Sequence, residues 1–152
     1  MPDNTFRFVI DGQRIETSGE ETILEIAKKN SIAIPHLCFK EGYKPDGNCR
    51  SCMVGIRGER VLAPACCRFP IDGMDVTTSS QRVRLNQHLV LELLEADLGG
   101  KVLEKEERPS ELKLWMKHLK ITKNRFPLRE HSADAIDATN PAIKVDLNQC
   151  IK

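Results

Sequence analysis

The chain has 152 residues, enough for one domain of ordinary size or for a small domain with a long extension. Its 23 Lys and Arg residues against 22 Asp and Glu residues give a net charge of +1, which disfavours nucleic acid as a partner. No stretch approaches the roughly 18 uninterrupted apolar residues of a membrane-spanning helix, and no export signal is recognisable at the amino end. We therefore expect a cytoplasmic protein without a transmembrane segment.

The first half of the chain predicts a small mixed sheet packed on one helix. Residues 6–10 and 13–17 alternate in character around Asp11-Gly12, a strong hairpin turn. Residues 22–30 have the apolar spacing and charge distribution of a short amphipathic helix, which ends before Pro35. Further strands are predicted at 53–56, 60–63 and 74–78. This order indicates an α+β fold, and its opening fits a β-grasp ferredoxin-like domain.

Beyond Ser79 the periodicity becomes helical. Apolar residues between Val83 and Leu98 predict a long helix that ends at Gly99-Gly100, and a second helix is predicted to begin at Pro109-Ser110-Glu111. No strand is predicted after Thr78. We divide the chain into a β-grasp domain (1–78), a helical extension (79–123) and an extended tail that needs a surface to lie on (124–152).

Four cysteines in the first domain carry the main chemical signal. Cys38, Cys49, Cys52 and Cys66 are separated by ten, two and thirteen residues, and glycines surround the central pair. Four soft thiolates suit an iron-sulfur cluster or a zinc ion. Structural zinc sites usually use two close cysteine pairs, whereas this chain has one pair and two solitary cysteines, so the spacing favours iron and sulfur.

Two other interpretations of the cysteines are weaker. A disulfide framework requires an oxidising compartment, and a thioredoxin-like use of Cys49-Arg50-Ser51-Cys52 requires a helix start in a βαβ unit. Cys66 is followed at once by Cys67, and spacing alone leaves open which of the two is a ligand, although we expect Cys67 to be a small buried residue. Cys150 has no neighbouring partner in the sequence, and we expect a free thiol there.

At these residues the chain resembles a known family. It is similar to the amino-terminal [2Fe-2S] module shared by the large iron-sulfur subunit of respiratory complex I, NAD-reducing hydrogenases and NAD-dependent molybdenum or tungsten formate dehydrogenases. The closest resemblance is to the formate dehydrogenase alpha subunit. The matching segments are residues 34–38, 45–54, 58–63, 73–74, 93–97, 126–127, 140–142 and 146–151.

The resemblance implies a ligand set and a limit on the chemistry. It makes Cys38, Cys49, Cys52 and Cys66 the cluster ligands, and it puts Cys67 where the family has an ordinary residue. Many complex I relatives hold a further [4Fe-4S] cluster through a histidine and three cysteines, but no cysteine lies between Cys67 and Cys150. We therefore expect a single [2Fe-2S] cluster. In the alpha subunit that the chain resembles, a later molybdopterin domain oxidises formate, so we expect no catalytic residues and no formate oxidation by this chain alone.

The sequence thus predicts an electron-transfer protein, not an enzyme on its own. The expected partners are other redox subunits of an oxidoreductase complex of the formate dehydrogenase type: flavin- or NAD-binding subunits, and molybdopterin or hydrogenase-type subunits. The alternative is a zinc-binding structural adaptor that docks on a larger protein. Among the histidines, His36 lies two residues before Cys38, but we expect all four to be structural or exposed.

Overall fold

The computed structural model describes residues 5–104, 110–132 and 135–149. The chain divides into two compact units, residues 1–87 and residues 88–152, and the division falls inside its longest helix. Within the described residues, each unit contains both helical and extended segments.

The first unit opens with a β-hairpin. Strand β1 (Phe6–Ile10) pairs antiparallel with strand β2 (Gln13–Thr17) through a two-residue turn. Both turn residues, Asp11 and Gly12, have positive φ, as a tight hairpin turn of this type requires. The Asp11 carboxylate also accepts hydrogen bonds from the backbone N–H of Thr78, at 2.8 Å, and from the Thr78 hydroxyl. The predicted hairpin is confirmed with the same bounds.

The remaining strands complete a mixed five-stranded sheet. Strand β5 (Asp75–Thr77) is the last strand of this sheet in chain order and pairs in parallel with β1. On its other side, β5 pairs antiparallel with β3 (Met53–Ile56). The edge strand β4 (Ala63–Pro64) pairs antiparallel with β3, which gives the order β2-β1-β5-β3-β4. A sheet of this kind combined with helices is the α+β architecture that the sequence predicts.

Strand β4 is shorter and later than predicted. We expected a strand over residues 60–63, but pairing with β3 occurs only at Ala63 and Pro64. Val61 is exposed, and the Arg60 carbonyl accepts a hydrogen bond from the Arg82 guanidinium at 2.9 Å. The connection that turns at Gly58 therefore continues through residue 62. Its apolar residues have the sequence pattern of a strand but do not pair with β3.

Helix α1 (Ile23–Lys29) contributes four buried side chains to the core of the first unit. A capping box fixes its start: the Thr22 hydroxyl accepts from the Glu25 N–H at 3.3 Å, and the Glu25 carboxylate accepts from the Thr22 N–H at 2.7 Å. Burying each large apolar side chain contributes about 1.5–3 kcal/mol. The side chains of α1 join those of the sheet in one core, which includes Phe8, Ile10, Ile23, Leu24, Ile26, Ala27, Val54 and Val76.

Helix α2 (Gln81–Asp97) confirms the predicted long helix. Its last residue is Asp97, and Gly99 and Gly100, which follow the helix, both have positive φ. The Gly99 N–H donates to the Ala96 carbonyl at 3.0 Å, and the Gly100 N–H donates to the Glu95 carbonyl at 3.1 Å. These bonds satisfy carbonyl groups at the end of the helix, and the left-handed backbone that makes them favours glycine.

Two shorter helices follow in the second unit. Helix α3 (Lys101–Glu104) is not anticipated by the sequence analysis, whereas α4 (Glu111–His118) is. The Ser110 hydroxyl caps α4 by accepting from the Lys113 N–H at 3.2 Å. Among the apolar side chains of α4, Leu112 and Met116 are buried.

The segment after α4 lies along the second half of α2. The Arg125 guanidinium makes two hydrogen bonds to the carboxylate of Glu92, at 2.6 and 2.8 Å, and the Glu92 side chain is only 5% exposed. The Asn124 side chain donates to the Glu92 carbonyl at 2.7 Å, and the Arg129 N–H donates to the Ala96 carbonyl at 2.9 Å. This two-bond ion pair holds residues 124–129 on the helix.

The prediction that no strand follows Thr78 is wrong. Strands β6 (Ile136–Asn140) and β7 (Ile143–Asp146) form an antiparallel hairpin, followed by a single 3-10 turn at Leu147–Gln149. All five residues of β6 are exposed, so its sequence lacks the apolar alternation by which a half-buried strand is recognised. In the part of the chain that the structure describes, no helix is both long and apolar enough to cross a membrane.

Candidate metal centre

The predicted ligands lie on an irregular loop and just beyond the pair of strands that follows it. Residues 30–52 connect α1 to β3 without a helix or strand, and Cys38 and Cys49 both belong to this loop. Its backbone takes positive φ at Gly42, Gly47 and Arg50. Cys52 directly precedes β3, and Cys66 lies two residues beyond β4, so the pairing of these strands brings the two cysteines together. The Ala65 N–H donates to the Cys52 carbonyl at 3.0 Å and fixes this arrangement.

Cys38 and Cys49 form the first thiol pair. The backbone N–H of Cys49 donates to the Cys38 sulfur at 3.4 Å, and both side chains are half-buried. Burial raises the pKa of the Cys38 thiol. Burial also acts to raise the pKa of Cys49, but hydrogen bonds with Ser51 and Cys38 together outweigh it and lower that pKa. The Ser51 hydroxyl oxygen lies 3.0 Å from the Cys49 sulfur and is fully buried, so it is a fixed polar partner for this sulfur.

Cys52 and Cys66 form the second pair, and both are buried. The hydrogen bond between the two thiols lowers the pKa of Cys52 to about 7 and raises that of Cys66. The opposite directions have one cause, because a thiol that donates to a neighbouring thiolate stabilises its charge and keeps its own proton. A metal centre that binds both sulfurs requires both as thiolates, so Cys66 would lose its proton on binding.

The four predicted ligands form two separate pairs of thiols and do not surround one common point. Across residues 5–104, 110–132 and 135–149, no three His, Cys, Asp or Glu side chains converge as the ligands of a single metal ion. The five described cysteines are free thiols. Four soft donors in separate pairs fit a centre with two metal positions better than a single tetrahedral ion.

Cys67 differs from its prediction. We expected a small buried residue, but Cys67 is exposed. Its sulfur lies 3.5 Å from the Cys66 sulfur, and a Cβ atom added at Gly47 would lie 2.8 Å from it. The expectation is wrong because the turn after β4 buries Cys66 beside Cys52 and directs the next side chain outward, over the loop that carries Cys49.

The other candidates named from the sequence fall in different places. The His36 ring nitrogen Nδ1 lies 2.8 Å from the Ile34 carbonyl, and the ring meets Phe39 edge-on, so its contacts brace the start of the loop. Among the glycines near the central cysteine pair, Gly55 lies in β3, where an added Cβ would face Val83 and Thr77. Cys150 lies outside the described residues.

One loop anchor was missed by the sequence analysis. The Lys28 ammonium on α1 donates to the Glu41 carboxylate at 2.6 Å and lies 5.4 Å from the centre of the Phe39 ring. These contacts join the helix to the loop just after Cys38, although exposed ion pairs of this kind contribute little stability. Thirteen residues separate the two charged groups, so no local sequence pattern reveals the contact.

A solved structure shares the fold of this chain. A crystal structure of an NAD+-reducing [NiFe]-hydrogenase in the H2-reduced state has a TM-score of 0.80 and 26% identity, over 96% of this chain and 62% of the hydrogenase chain. The protein is an iron-sulfur electron-transfer module whose relatives are subunits of oxidoreductases.

The family follows from the match to its sequence model. Residues 3–81, more than half of the chain, match the 2Fe-2S iron-sulfur cluster binding domain, and the chain belongs to that family, so its cofactor is a [2Fe-2S] cluster. An NADH-quinone oxidoreductase subunit of Rhizobium meliloti is 34% identical over 60% of this chain and 11% of its own length. Probable oxidoreductase YjgC of Bacillus subtilis is 28% identical over 93% of this chain and 14% of its own length. The chain therefore spans a small part of these relatives.

Proposed function

We propose that Cys38, Cys49, Cys52 and Cys66 hold the [2Fe-2S] cluster, with Cys38 and Cys49 on one iron and Cys52 and Cys66 on the other. The observation that carries this assignment is the grouping of the four cysteines into two pairs. The Cys49 N–H donates to the Cys38 sulfur at 3.4 Å, and the pairing of β3 with β4 sets buried Cys66 beside buried Cys52. A two-iron cluster requires two terminal thiolates on each iron, and one pair for each iron meets that requirement. The buried Ser51 hydroxyl beside Cys49 adds a hydrogen-bond donor to one of these sulfurs.

The proposed role is one-electron transfer within a larger oxidoreductase complex. When bound, the cluster accepts and releases one electron, and the chain's own residues hold it, shield it and donate hydrogen bonds to its sulfurs. A plant-type environment gives a potential near about −400 mV, low enough for exchange with NADH-linked partners. The relatives' names, which refer to NADH-quinone oxidoreductase and NAD+-reducing hydrogenase, support such partners.

We further propose a complex of the NAD-dependent formate dehydrogenase type, with flavin- or NAD-binding subunits and a molybdopterin subunit as electron partners. The resemblance of the cysteine motif and of later segments to the formate dehydrogenase alpha subunit supports this choice, and hydrogenase-type partners are the competing possibility. We retain the β-grasp description, the domain boundaries after residues 78 and 123 and the cytoplasmic location as parts of the same proposal.

The ligand assignment is tested by anaerobic purification, iron and sulfide analysis, a visible spectrum and the electron paramagnetic resonance (EPR) signal of the dithionite-reduced protein. We expect two irons and two sulfides per chain, and we expect Cys49→Ala to abolish the spectrum. Cys67→Ala is the matched control, since it removes a nearby thiol outside the proposed ligand set. A colourless protein that contains one zinc would support the structural adaptor instead, and an unchanged spectrum in Cys49→Ala would overturn the assignment.

The role is tested by a redox titration of the same EPR signal. A midpoint potential near about −400 mV is expected, whereas a value above about −150 mV would be too positive for a carrier that exchanges electrons with NADH-linked partners. Formate and NADH are then compared as electron donors, each with its purified catalytic subunit. Failure of both to reduce the cluster would contradict the proposed partners.

A further inference from the structure

We propose that Cys67 is an alternative cluster ligand that can replace Cys66 on the iron shared with Cys52. The inference rests on the proposed function, because it takes Cys52 and Cys66 as ligands of one iron. Cys67 differs from a solitary surface thiol, since its sulfur lies 3.5 Å from the sulfur of Cys66. The chain therefore presents three sulfurs where the second iron needs two.

The distance between the two sulfurs suits an exchange. In a tetrahedral metal site with metal–sulfur bonds of about 2.3 Å, neighbouring sulfur ligands lie about 3.8 Å apart. The Cys66 and Cys67 sulfurs are already within a few tenths of an ångström of that separation. A metal position at bonding distance from one of these sulfurs therefore lies near bonding distance from the other.

The backbone holds both cysteines in place. The N–H groups of Cys67 and Arg68 both donate to the Pro64 carbonyl, at 3.0 and 3.1 Å, so residues 64–68 form a closed turn. With this turn fixed, rotation of the Cys67 side chain is the main movement that an exchange requires. Rotation about one side-chain bond is fast compared with backbone rearrangement.

Gly47 provides the space for the Cys67 sulfur. A Cβ atom at position 47 would lie 2.8 Å from that sulfur, closer than such contacts normally allow, and would meet no other described atom within 4 Å beyond its chain neighbours. Gly47 is two residues before Cys49, so Cys67 rests against the loop that carries a ligand of the other proposed iron. The exposed side chain is thus directed along the cluster loop.

The exchange balances without a change of oxidation state. The bond between iron and the Cys66 sulfur breaks and a bond to the Cys67 sulfur forms. The Cys67 thiol releases one proton and the freed Cys66 thiolate takes up one proton, and no electron moves.

The test compares alanine variants, because an alanine side chain offers no replacement ligand. In anaerobically purified protein we expect Cys66→Ala to retain most of its iron and a [2Fe-2S] spectrum with shifted EPR signals. The iron content per chain of the double variant Cys66→Ala/Cys67→Ala should be lower than that of wild type by ~10-fold or more. Cys52→Ala is the matched control: it removes a buried ligand of the same iron that has no adjacent cysteine in the sequence, and it should lose iron as fully as the double variant. Circular dichroism establishes that each variant is folded.

If Cys66→Ala does not fold, serine at position 66 preserves the size of the side chain. Cys66→Ser and Cys66→Ser/Cys67→Ala should then differ in iron content or EPR signal, and identical properties would overturn the proposal. Equal iron loss in Cys66→Ala and the double variant would also overturn it. If either result overturns the exchange, a full cluster in wild type and in Cys67→Ala still leaves the proposed function intact. A wild-type protein without iron would instead contradict the proposed function and the exchange together.

Discussion

Replacing Gly47 with alanine should destabilise the first unit more than the same change at another glycine with positive φ. Gly47 has φ +66°, and Gly58, in the connection between β3 and β4, has φ +87°. A left-handed backbone costs an L-residue about 1–2 kcal/mol, and the lower entropy of the unfolded alanine chain offsets about 0.4–1 kcal/mol of this. Each variant should therefore lose about 1 kcal/mol from the backbone alone.

The two positions differ in what an added Cβ would contact. At Gly58 it would meet no described atom within 4 Å beyond its chain neighbours, whereas at Gly47 the Cys67 sulfur lies at 2.8 Å. If Cys67 must leave its preferred rotamer, Gly47→Ala loses a further ~0.5–1.5 kcal/mol. Gly47→Ala/Cys67→Ala removes the contact and should return to the stability of Gly58→Ala, once the effect of Cys67→Ala alone is subtracted.

Thermal unfolding of the cluster-loaded protein, followed by circular dichroism at one scan rate under anaerobic conditions, measures these differences. For a unit of this size, 1 kcal/mol corresponds to about 4–8 °C in Tm. Equal Tm values for Gly47→Ala and Gly58→Ala would contradict the prediction, as would a double variant that recovers none of the loss. Either result would mean that the Cys67 sulfur does not press on position 47.

Three further predictions concern a sulfur, an ion pair and a helix cap. Ser51→Ala should lower the midpoint potential by roughly 20–60 mV, because the hydroxyl hydrogen bond favours the more negative reduced cluster; redox titration measures this, with exposed Ser18→Ala as the control. Arg125 lowers the pKa of Glu92, so the pair stabilises the second unit above the ordinary pKa of glutamate and this contribution is lost as the pH falls. Glu92→Gln should therefore reduce the loss of Tm between neutral and acidic pH, measured by fluorescence of Trp115, the single tryptophan. Thr22→Ala should cost about 1 kcal/mol of unfolding free energy through loss of the capping box, measured by thermal unfolding.

Each of these predictions has an outcome that would contradict it. Equal potentials in Ser51→Ala and Ser18→Ala would mean that the hydroxyl does not act on the cluster. A Glu92→Gln variant with the wild-type pH dependence would show that this carboxylate does not titrate as the ion pair requires. Thr22→Ala should be less stable than exposed Thr122→Ala, and equal stability would exclude a role for the cap.

Local patterns predicted those elements whose stabilising contacts are close in sequence. The first hairpin has the predicted bounds because Asp11-Gly12 favours one type of turn and the alternation on both sides sets its register. Helix α1 was predicted from its apolar spacing and charge distribution, and the end of α2 from two glycines, which are equally local signals. The β6–β7 hairpin was missed because its exposed strands bury no regular face, and β4 was misplaced because apolar residues near it belong to a connection.

Cysteine spacing and turn signals are local properties, so the amino-acid sequence alone was enough to indicate a metal-binding α+β domain with a helical extension. The grouping of the thiols, and the burial of Cys66 but not Cys67, depend on the tertiary structure. The register of β3 with β4 brings Cys52 to Cys66, and a turn closed on Pro64 exposes the next side chain. Neighbouring cysteines in a sequence are chemically equivalent as thiols, and they acquire different roles only when strand pairing buries one and leaves the other in contact with water.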